Sequence, residues 1–138
     1  PGAMDLRGKT THRQLAQLVY HADGVLCGNS YLMHLAAAVD NPPWRPWVRP
    51  CVVLAGGREA VNWFCYPGHT VLHSIGQLDC CAMAGCWKDR VKPLGDGRPY
   101  DAPAKLCSQP TDLDGQLAGP YAACMARITP ADVASETQ

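Results

Sequence analysis

The chain has 138 residues, which is enough for one domain with one hydrophobic core. Twelve basic residues balance twelve acidic ones, so the composition argues against the strong positive field that attracts nucleic acid or an anionic membrane. The longest apolar run, Leu35 to Val39, is far shorter than the ~20 residues that a membrane-spanning helix needs. The first four residues, Pro-Gly-Ala-Met, resemble a cloning scar, so we expect the natural start to lie elsewhere.

The first predicted element is a helix over roughly Thr11 to Ala22. Thr11 and Gln14 have the spacing of a capping box, in which each side chain bonds the other's backbone amide. An apolar stripe at helical spacing follows it, consisting of Leu15, Leu18, Val19 and Ala22.

A strand, a helix and two further strands are predicted next. Val25-Leu26-Cys27 is typical of a buried strand, which we expect to be central in a parallel sheet. Ser30 is placed to cap a helix of about ten residues that ends before Asn41-Pro42-Pro43. The other apolar runs predict strands at Cys51 to Ala55 and Thr70 to Ile75. This pattern predicts an α/β fold with a partial Rossmann-like parallel sheet and a right-handed crossover.

The chain from Cys80 onward shows no regular periodicity before its last dozen residues. Thr129 followed by Pro130 is typical of a helix start. We therefore divide the chain into four parts: the scar, an α/β domain over 5–78, a loop-rich cysteine segment over 79–128, and a terminal helix or tail over 129–138.

A ligand site is expected where the first strand meets the second helix. Ligands of parallel α/β sheets bind beyond the carboxyl ends of the strands. Here the helix amides near Tyr31 favour a phosphate, and Asn29 and Ser30 add polar side chains. The alternative is an ordinary turn in which Ser30 only caps the helix. Arg58 and Glu59 follow the next strand and should face the same cleft, with an exposed ion pair as the alternative.

The segment DLRGKTTHRQLAQLVYHADGVLCGNSYLMHLAAAV resembles the ADP-heptose:lipopolysaccharide heptosyltransferases, the family 9 glycosyltransferases of GT-B fold. The resemblance runs from about Leu6 to Val39 and covers the second half of that family's donor-binding domain. It implies a nucleotide-sugar donor such as ADP-heptose and a cytoplasmic location. The family's catalytic carboxylate belongs to its amino-terminal domain, so the resemblance implies no catalytic residue here and an inactive fragment.

The same resemblance implies roles for five residues. Thr10 corresponds to the position where backbone holds the adenine, and His34 to a histidine near the phosphates. Ser30 and Tyr31 correspond to a Thr-Gly pair whose amides hold the pyrophosphate. Asn29 stands where the family has an aspartate that contacts the sugar. Asn29 and Tyr31 are departures, because one lacks the charge and the other lacks the close backbone approach that glycine permits.

The cysteine segment is interpreted as a metal site. It resembles the iron-binding extension of autotransporter heptosyltransferases, and four thiolates would in any case suit iron or zinc. The candidate ligands are Cys80 or Cys81 together with Cys86, Cys107 and Cys124. The alternative is disulfide bonding or plain buried thiols, although a cytoplasmic family disfavours disulfides. The remaining cysteines, Cys27, Cys51 and Cys65, are expected to be small core residues.

The connection from Pro42 to Pro50 carries two tryptophans and two arginines among its prolines. These side chains could grip a partner or an acceptor. Alternatively, the connection is stiff and its tryptophans cover the edge of the core.

Two functions remain open at this stage. The first is a glycosyltransferase fragment that binds the donor and acts with a missing amino-terminal domain. The second is a non-catalytic, metal-ordered module for assembly. Nucleic-acid binding is disfavoured because the Cys80 to Cys124 segment has five basic residues against five aspartates. An incomplete sheet would also leave an exposed edge suited to self-association.

Overall fold

The computed structural model describes residues 2–112 and 119–136. Helix α1 spans His12–His21, strand β1 Val25–Gly28, helix α2 Tyr31–Ala38, strand β2 Cys51–Gly56 and strand β3 His69–His73. Beyond them lie short 3-10 turns, the two-residue strands β4 (Pro110–Thr111) and β5 (Tyr121–Ala122), and the helices α3 (Ala123–Ala126) and α4 (Pro130–Glu136). In the described chain no helix combines the length and the apolar character that a bilayer crossing requires.

The three main strands form one parallel sheet in the order β1-β2-β3. The predicted α/β class, with a parallel sheet and helices, is therefore confirmed. The prediction that β1 is central is wrong: β2 holds that place among the described strands, and Leu26 of β1 is 51% exposed. The core lies between the sheet and the helices and includes Met33 and Val53, both fully buried.

Two of the three predicted helix caps, at Thr11 and Thr129, are confirmed in atomic detail. The Thr11 hydroxyl accepts from the Gln14 amide at 3.3 Å, and the Gln14 side chain accepts from the Thr11 amide at 2.9 Å. At α4 the Asp132 amide donates to the Thr129 hydroxyl at 3.2 Å, and the Asp132 carboxylate accepts from the Thr129 amide at 2.7 Å. Each cap satisfies amides that have no partner within the helix.

The proline-rich connection does not direct its arginines outward. Arg45 and Arg49 are 8% and 3% exposed, whereas Trp44 and Trp47 are 66% and 62% exposed. Arg45 donates to the Ala22 carbonyl and pairs with Asp23 at the end of α1. The suggestion that these arginines grip a partner is therefore wrong, because both guanidinium groups are buried and donate to groups inside the molecule. The tryptophans cover little of the core edge.

Arg49 joins the ends of two helices. Its guanidinium donates to the Tyr20 carbonyl near the end of α1 at 3.3 Å, and to the Val39 and Asp40 carbonyls beyond α2 at 3.2 Å each. Burial, with repulsion from Arg45 as the smaller cause, lowers the pKa of Arg49. A cation at the negative ends of two helix dipoles is favourable, and it holds α1 and α2 in register.

The cysteines outside the cluster divide into two groups. Cys27 and Cys51 are buried in the core with their sulfurs 4.0 Å apart, and burial raises the pKa of Cys51 to about 12. Cys65, by contrast, is exposed, so its assignment to the core is wrong. It follows the 3-10 turn Val61–Trp63 and the neighbouring Phe64, and Phe64 is the residue that enters the core here.

The irregular segment between residues 90 and 106 is ordered by Arg90. Its guanidinium donates to the Asp96 carboxylate at 2.7 and 2.8 Å and to Asp101 at 2.6 Å, and it lies over the Tyr100 ring. The Arg90 hydrogen bonds lower the pKa of Asp96, and the Leu94 amide followed by Arg90 lowers that of Asp101.

Because of these two aspartates, we expect the segment between residues 90 and 106 to lose stability in acid. Because their folded-state pKa values lie below the ordinary 3.8, their contribution to stability is present above about pH 4 and is lost as the pH falls through the lowered values. We expect the urea midpoint to fall between pH 5 and pH 2, and to fall less in Arg90→Met. Equal pH slopes for the two proteins would contradict this.

Candidate functional site

A cleft of about 520 Å³ lies at the carboxyl ends of β1 and β2. The start of α2 forms one wall, and the opposite wall comes from the cysteine segment and α3. The predicted residues that line it are Asn29, Ser30, Tyr31, His34 and Arg58, together with Cys80, Cys86, Cys107 and Cys124. Two predicted residues are not among its lining residues, namely Thr10 and Cys81. The predicted donor-binding residues and the predicted metal ligands, one group from each half of the chain, therefore line the same cleft.

The turn from β1 into α2 differs from the predicted cap. Ser30 occupies the N-cap position, but its side chain makes no cap hydrogen bond; instead its hydroxyl donates to the Gly28 carbonyl at 3.2 Å. The interpretation of Ser30 as a side-chain cap is therefore wrong. The Tyr31 ring lies 5.3 Å from the ring of His12 in α1, so its bulk packs toward that helix.

His34 lies one turn into α2 at the side of the cleft. Its Nδ1 is 2.8 Å from the Tyr66 hydroxyl, and the two rings meet edge to face with centroids 5.7 Å apart. His69 adjoins Tyr66 on the far side, and burial, followed by its proximity to His34, lowers the pKa of His69. The contact with Tyr66 fixes one nitrogen of His34 and leaves Nε2 as its other polar atom.

An ion-pair network crosses the floor of the cleft just after β2. Arg58 pairs with Glu59 and donates to Asp89 at 3.0 Å and to the Lys88 carbonyl at 2.9 Å. The Arg58 hydrogen bond lowers the pKa of Asp89. The predicted alternative for Arg58, an ion pair with Glu59, is present, and Asp89 joins it from the cysteine segment.

The cysteine segment is attached to the sheet through its backbone. The Cys86 amide donates to the Gly57 carbonyl at 3.0 Å, and the Trp87 amide donates to the Arg58 carbonyl at 3.0 Å. Gly85, at φ +107°, lets this segment approach so closely that a Cβ atom there would touch the Arg58 backbone. The residues next to Gly85 in the sequence give no sign of this close approach, because it is a contact between distant parts of the chain. Sequence reasoning did not predict Asp89 and Gly57 as site residues for the same reason.

All eight cysteines are free thiols. Burial raises the pKa of Cys80, which Ser108 contacts by a hydrogen bond, and burial likewise raises that of Cys124, which receives the Gly57 amide. In both cases the neighbouring cysteines raise the pKa further. Cys81 is 1% exposed, and its thiol donates to the Ser74 carbonyl at 3.4 Å.

Two observations bear on metal binding by these cysteines. Within residues 2–112 and 119–136, no three His, Cys, Asp or Glu side chains stand close enough to hold a metal ion as they are placed. The donor type itself is suitable for iron or zinc, because four free thiols line one cleft.

Polar residues at the carboxyl ends of adjacent parallel strands, with a helix starting above them, form the usual ligand position of an open α/β sheet. Residues 2–43 match the family model of glycosyltransferase family 9 (heptosyltransferase), and this segment contains α1, β1 and α2. The match supports a glycosyltransferase-like function. No curated protein and no solved structure matches the chain.

Proposed function

We propose that the chain binds the nucleotide-sugar donor of a heptosyltransferase-like glycosyltransferase, and that the donor occupies the cleft at the ends of β1 and β2. One observation carries the proposal: the segment that matches family 9 supplies an entire wall of this cleft, from Asn29 to His34. The proposal assigns donor binding to this chain and names no catalytic residue in it.

The geometry suits a diphosphate next to Ser30. Helix α2 presents its positive end to the cleft, and the Ser30 side chain does not occupy the helix amides. Arg58 adds a guanidinium on the floor of the cleft, and His34 offers its second ring nitrogen. A volume of about 520 Å³ lies within the range of small-molecule sites, roughly 300–1,000 Å³.

Ser30→Ala tests this proposal. The variant removes one hydroxyl at the predicted diphosphate position, and we expect it to weaken ADP binding about tenfold, the usual size of one hydrogen bond to a charged group. Isothermal titration of the intact chain with ADP measures the change. Ser135→Ala on α4, outside the cleft, is the matched control and should bind as the wild type does. Absence of ADP binding to the wild type, or equal affinity in Ser30→Ala, would contradict the proposal.

As a second function, we propose that the cysteine segment is ordered by a thiolate-bound metal, iron or zinc. The supporting observation is that Cys80, Cys86, Cys107 and Cys124, from separate stretches of chain, line the same cleft as free thiols. A bound cation would favour the thiolate forms that burial and mutual repulsion disfavour. The metal would supply structural order. Metal content by mass spectrometry, with a visible spectrum for iron, tests this.

The adjacent cysteines Cys80 and Cys81 provide a matched pair of variants. Because Cys80 lines the cleft and the Cys81 thiol faces the Ser74 carbonyl, we expect Cys80→Ser to lose most of the bound metal and Cys81→Ser to retain it. Both proteins would be purified under reducing conditions and their metal-to-protein ratios compared. Equal loss in the two variants, or no metal in the wild type, would contradict the ligand assignment.

A further inference from the structure

The carboxylate of Glu59 occupies a fixed position between the ends of β1 and β2. Its Oε2 accepts from the Asn29 amide nitrogen at 3.2 Å, and its Oε1 pairs with Arg58. The side chain is 22% exposed and lines the cleft. One contact therefore comes from each strand end, and together they hold the carboxylate in one orientation on the floor of the cleft.

Among the residues that the structure describes, the partners of this carboxylate leave some of its acceptor positions open. An ionised carboxylate has about four lone-pair positions, and the contacts with Asn29 and Arg58 use two of them. The remaining positions suit hydroxyl donors, and two neighbouring hydroxyls on one ring can reach the two oxygens together. Such charge-assisted hydrogen bonds are short and are about twice as strong as neutral ones.

The pairing with Arg58 also makes the carboxylate compatible with a diphosphate nearby. An unpaired carboxylate would repel a phosphate group at short distance, and more strongly in a cleft than in bulk water. Arg58 pairs with both Glu59 and Asp89, and Lys105 also pairs with Asp89, so two cations balance the two carboxylates. A ligand that carries both a diphosphate and a polyhydroxylated ring therefore matches the charges of this cleft.

We infer that Glu59 is the acceptor for the hydroxyl groups of the donor sugar, and that Asn29 positions its carboxylate. The inference rests on the proposed function, because it concerns the same cleft and the same donor. By this inference, Glu59 makes the chain bind a nucleotide-sugar more tightly than the nucleotide alone. The diphosphate binds at the start of α2, as proposed above.

The test compares ADP-heptose with ADP on the intact chain. We expect the wild type to bind ADP-heptose at least tenfold more tightly than ADP. Glu59→Gln, which keeps the size and one carbonyl acceptor, should reduce this ratio about tenfold. ADP affinity itself should not fall, because the change removes a negative charge from the floor of the cleft. Asn29→Ala should reduce the ratio less. Asp89→Asn is the matched control, because Asp89 pairs with the same arginine in the same cleft, and its ratio should equal that of the wild type.

The outcomes separate the two proposals. If ADP binds but Glu59→Gln keeps the full ratio, or weakens ADP and ADP-heptose equally, the role of Glu59 is wrong and donor binding stands. If Asp89→Asn lowers the ratio as far as Glu59→Gln does, the effect is general electrostatics and the inference is also overturned. If neither ligand binds the wild type, the proposed function fails and the inference fails with it.

Discussion

Arg49→Met is expected to reduce the free energy of unfolding by about 3 kcal/mol, since hydrogen bonds to a charged donor contribute roughly 1.5–3 kcal/mol each and buried carbonyls would lose their partners. Methionine retains much of the apolar stem, so the change isolates the guanidinium. That group holds carbonyls at the ends of both α1 and α2, and the residue is 3% exposed. Urea unfolding followed by circular dichroism measures the loss.

Two further variants show whether the loss of stability comes from the guanidinium of Arg49. Arg49→Lys keeps the charge but has a single point donor, so it should lie between the wild type and Arg49→Met. Arg13→Met removes an exposed arginine from α1 and should change stability by less than about 0.5 kcal/mol. If Arg49→Met is as stable as Arg13→Met, Arg49 does not join the two helices in solution.

Gly85→Ala is the second change with a large expected effect. A Cβ atom at this position would touch the Arg58 carbonyl oxygen and would lie 2.9 Å from the Arg58 carbonyl carbon and 3.1 Å from the Glu59 Cα. These are backbone atoms, so no side chain can turn aside. Together with the strain of φ +107° in an L residue, we expect a cost of about 3 kcal/mol.

The expected structural consequence is loss of the attachment of the cysteine segment. The hydrogen bonds from the Cys86 and Trp87 amides to the Gly57 and Arg58 carbonyls, just after β2, would break, and hydrogen exchange at those two amides should become fast. Gly95→Ala is the control, because Gly95 also has a positive φ, +69°, but has open space around it. It should cost only about 1 kcal/mol. Equal costs at the two positions would show that the close approach at Gly85 is absent.

Sequence reasoning predicted what depends on local pattern. The capping pairs at Thr11 and Thr129, the βα crossover and the parallel strands all follow from periodicity and short-range hydrogen bonding, and all are confirmed. The strand-end position of Asn29 and Arg58 follows from the same topology, and both line one cleft.

The remaining features depend on contacts between distant residues. The sequence of the proline-rich connection does not show that Arg49 turns inward, because its partners are carbonyls that exist only once both helices are packed. The burial of β1 was overestimated because an apolar strand has the same composition at the edge and at the centre of a sheet. Likewise, Gly85 meets the backbone of Arg58 from 27 positions away along the chain, and periodicity carries no signal for such an approach.

The cysteine segment contacts the loop that follows β2, so metal binding in that segment would affect the donor cleft. Cys86 reaches the cleft through its backbone bond to Gly57, and the Cys124 thiol accepts from the Gly57 amide. Ordering of the cysteine segment would therefore also fix the loop that carries Arg58 and Glu59. Under the two proposals, loss of metal should therefore weaken donor binding.

Amide hydrogen exchange of the intact chain, with and without ADP-heptose, tests donor binding most directly. If the cleft is the donor site, the amides of Ser30 to Met33 should be slowed at least tenfold at saturating ligand, while those of α4 keep their rates. Unchanged rates at Ser30 to Met33, with ADP-heptose shown to be in excess of the protein, would contradict donor binding at the ends of β1 and β2.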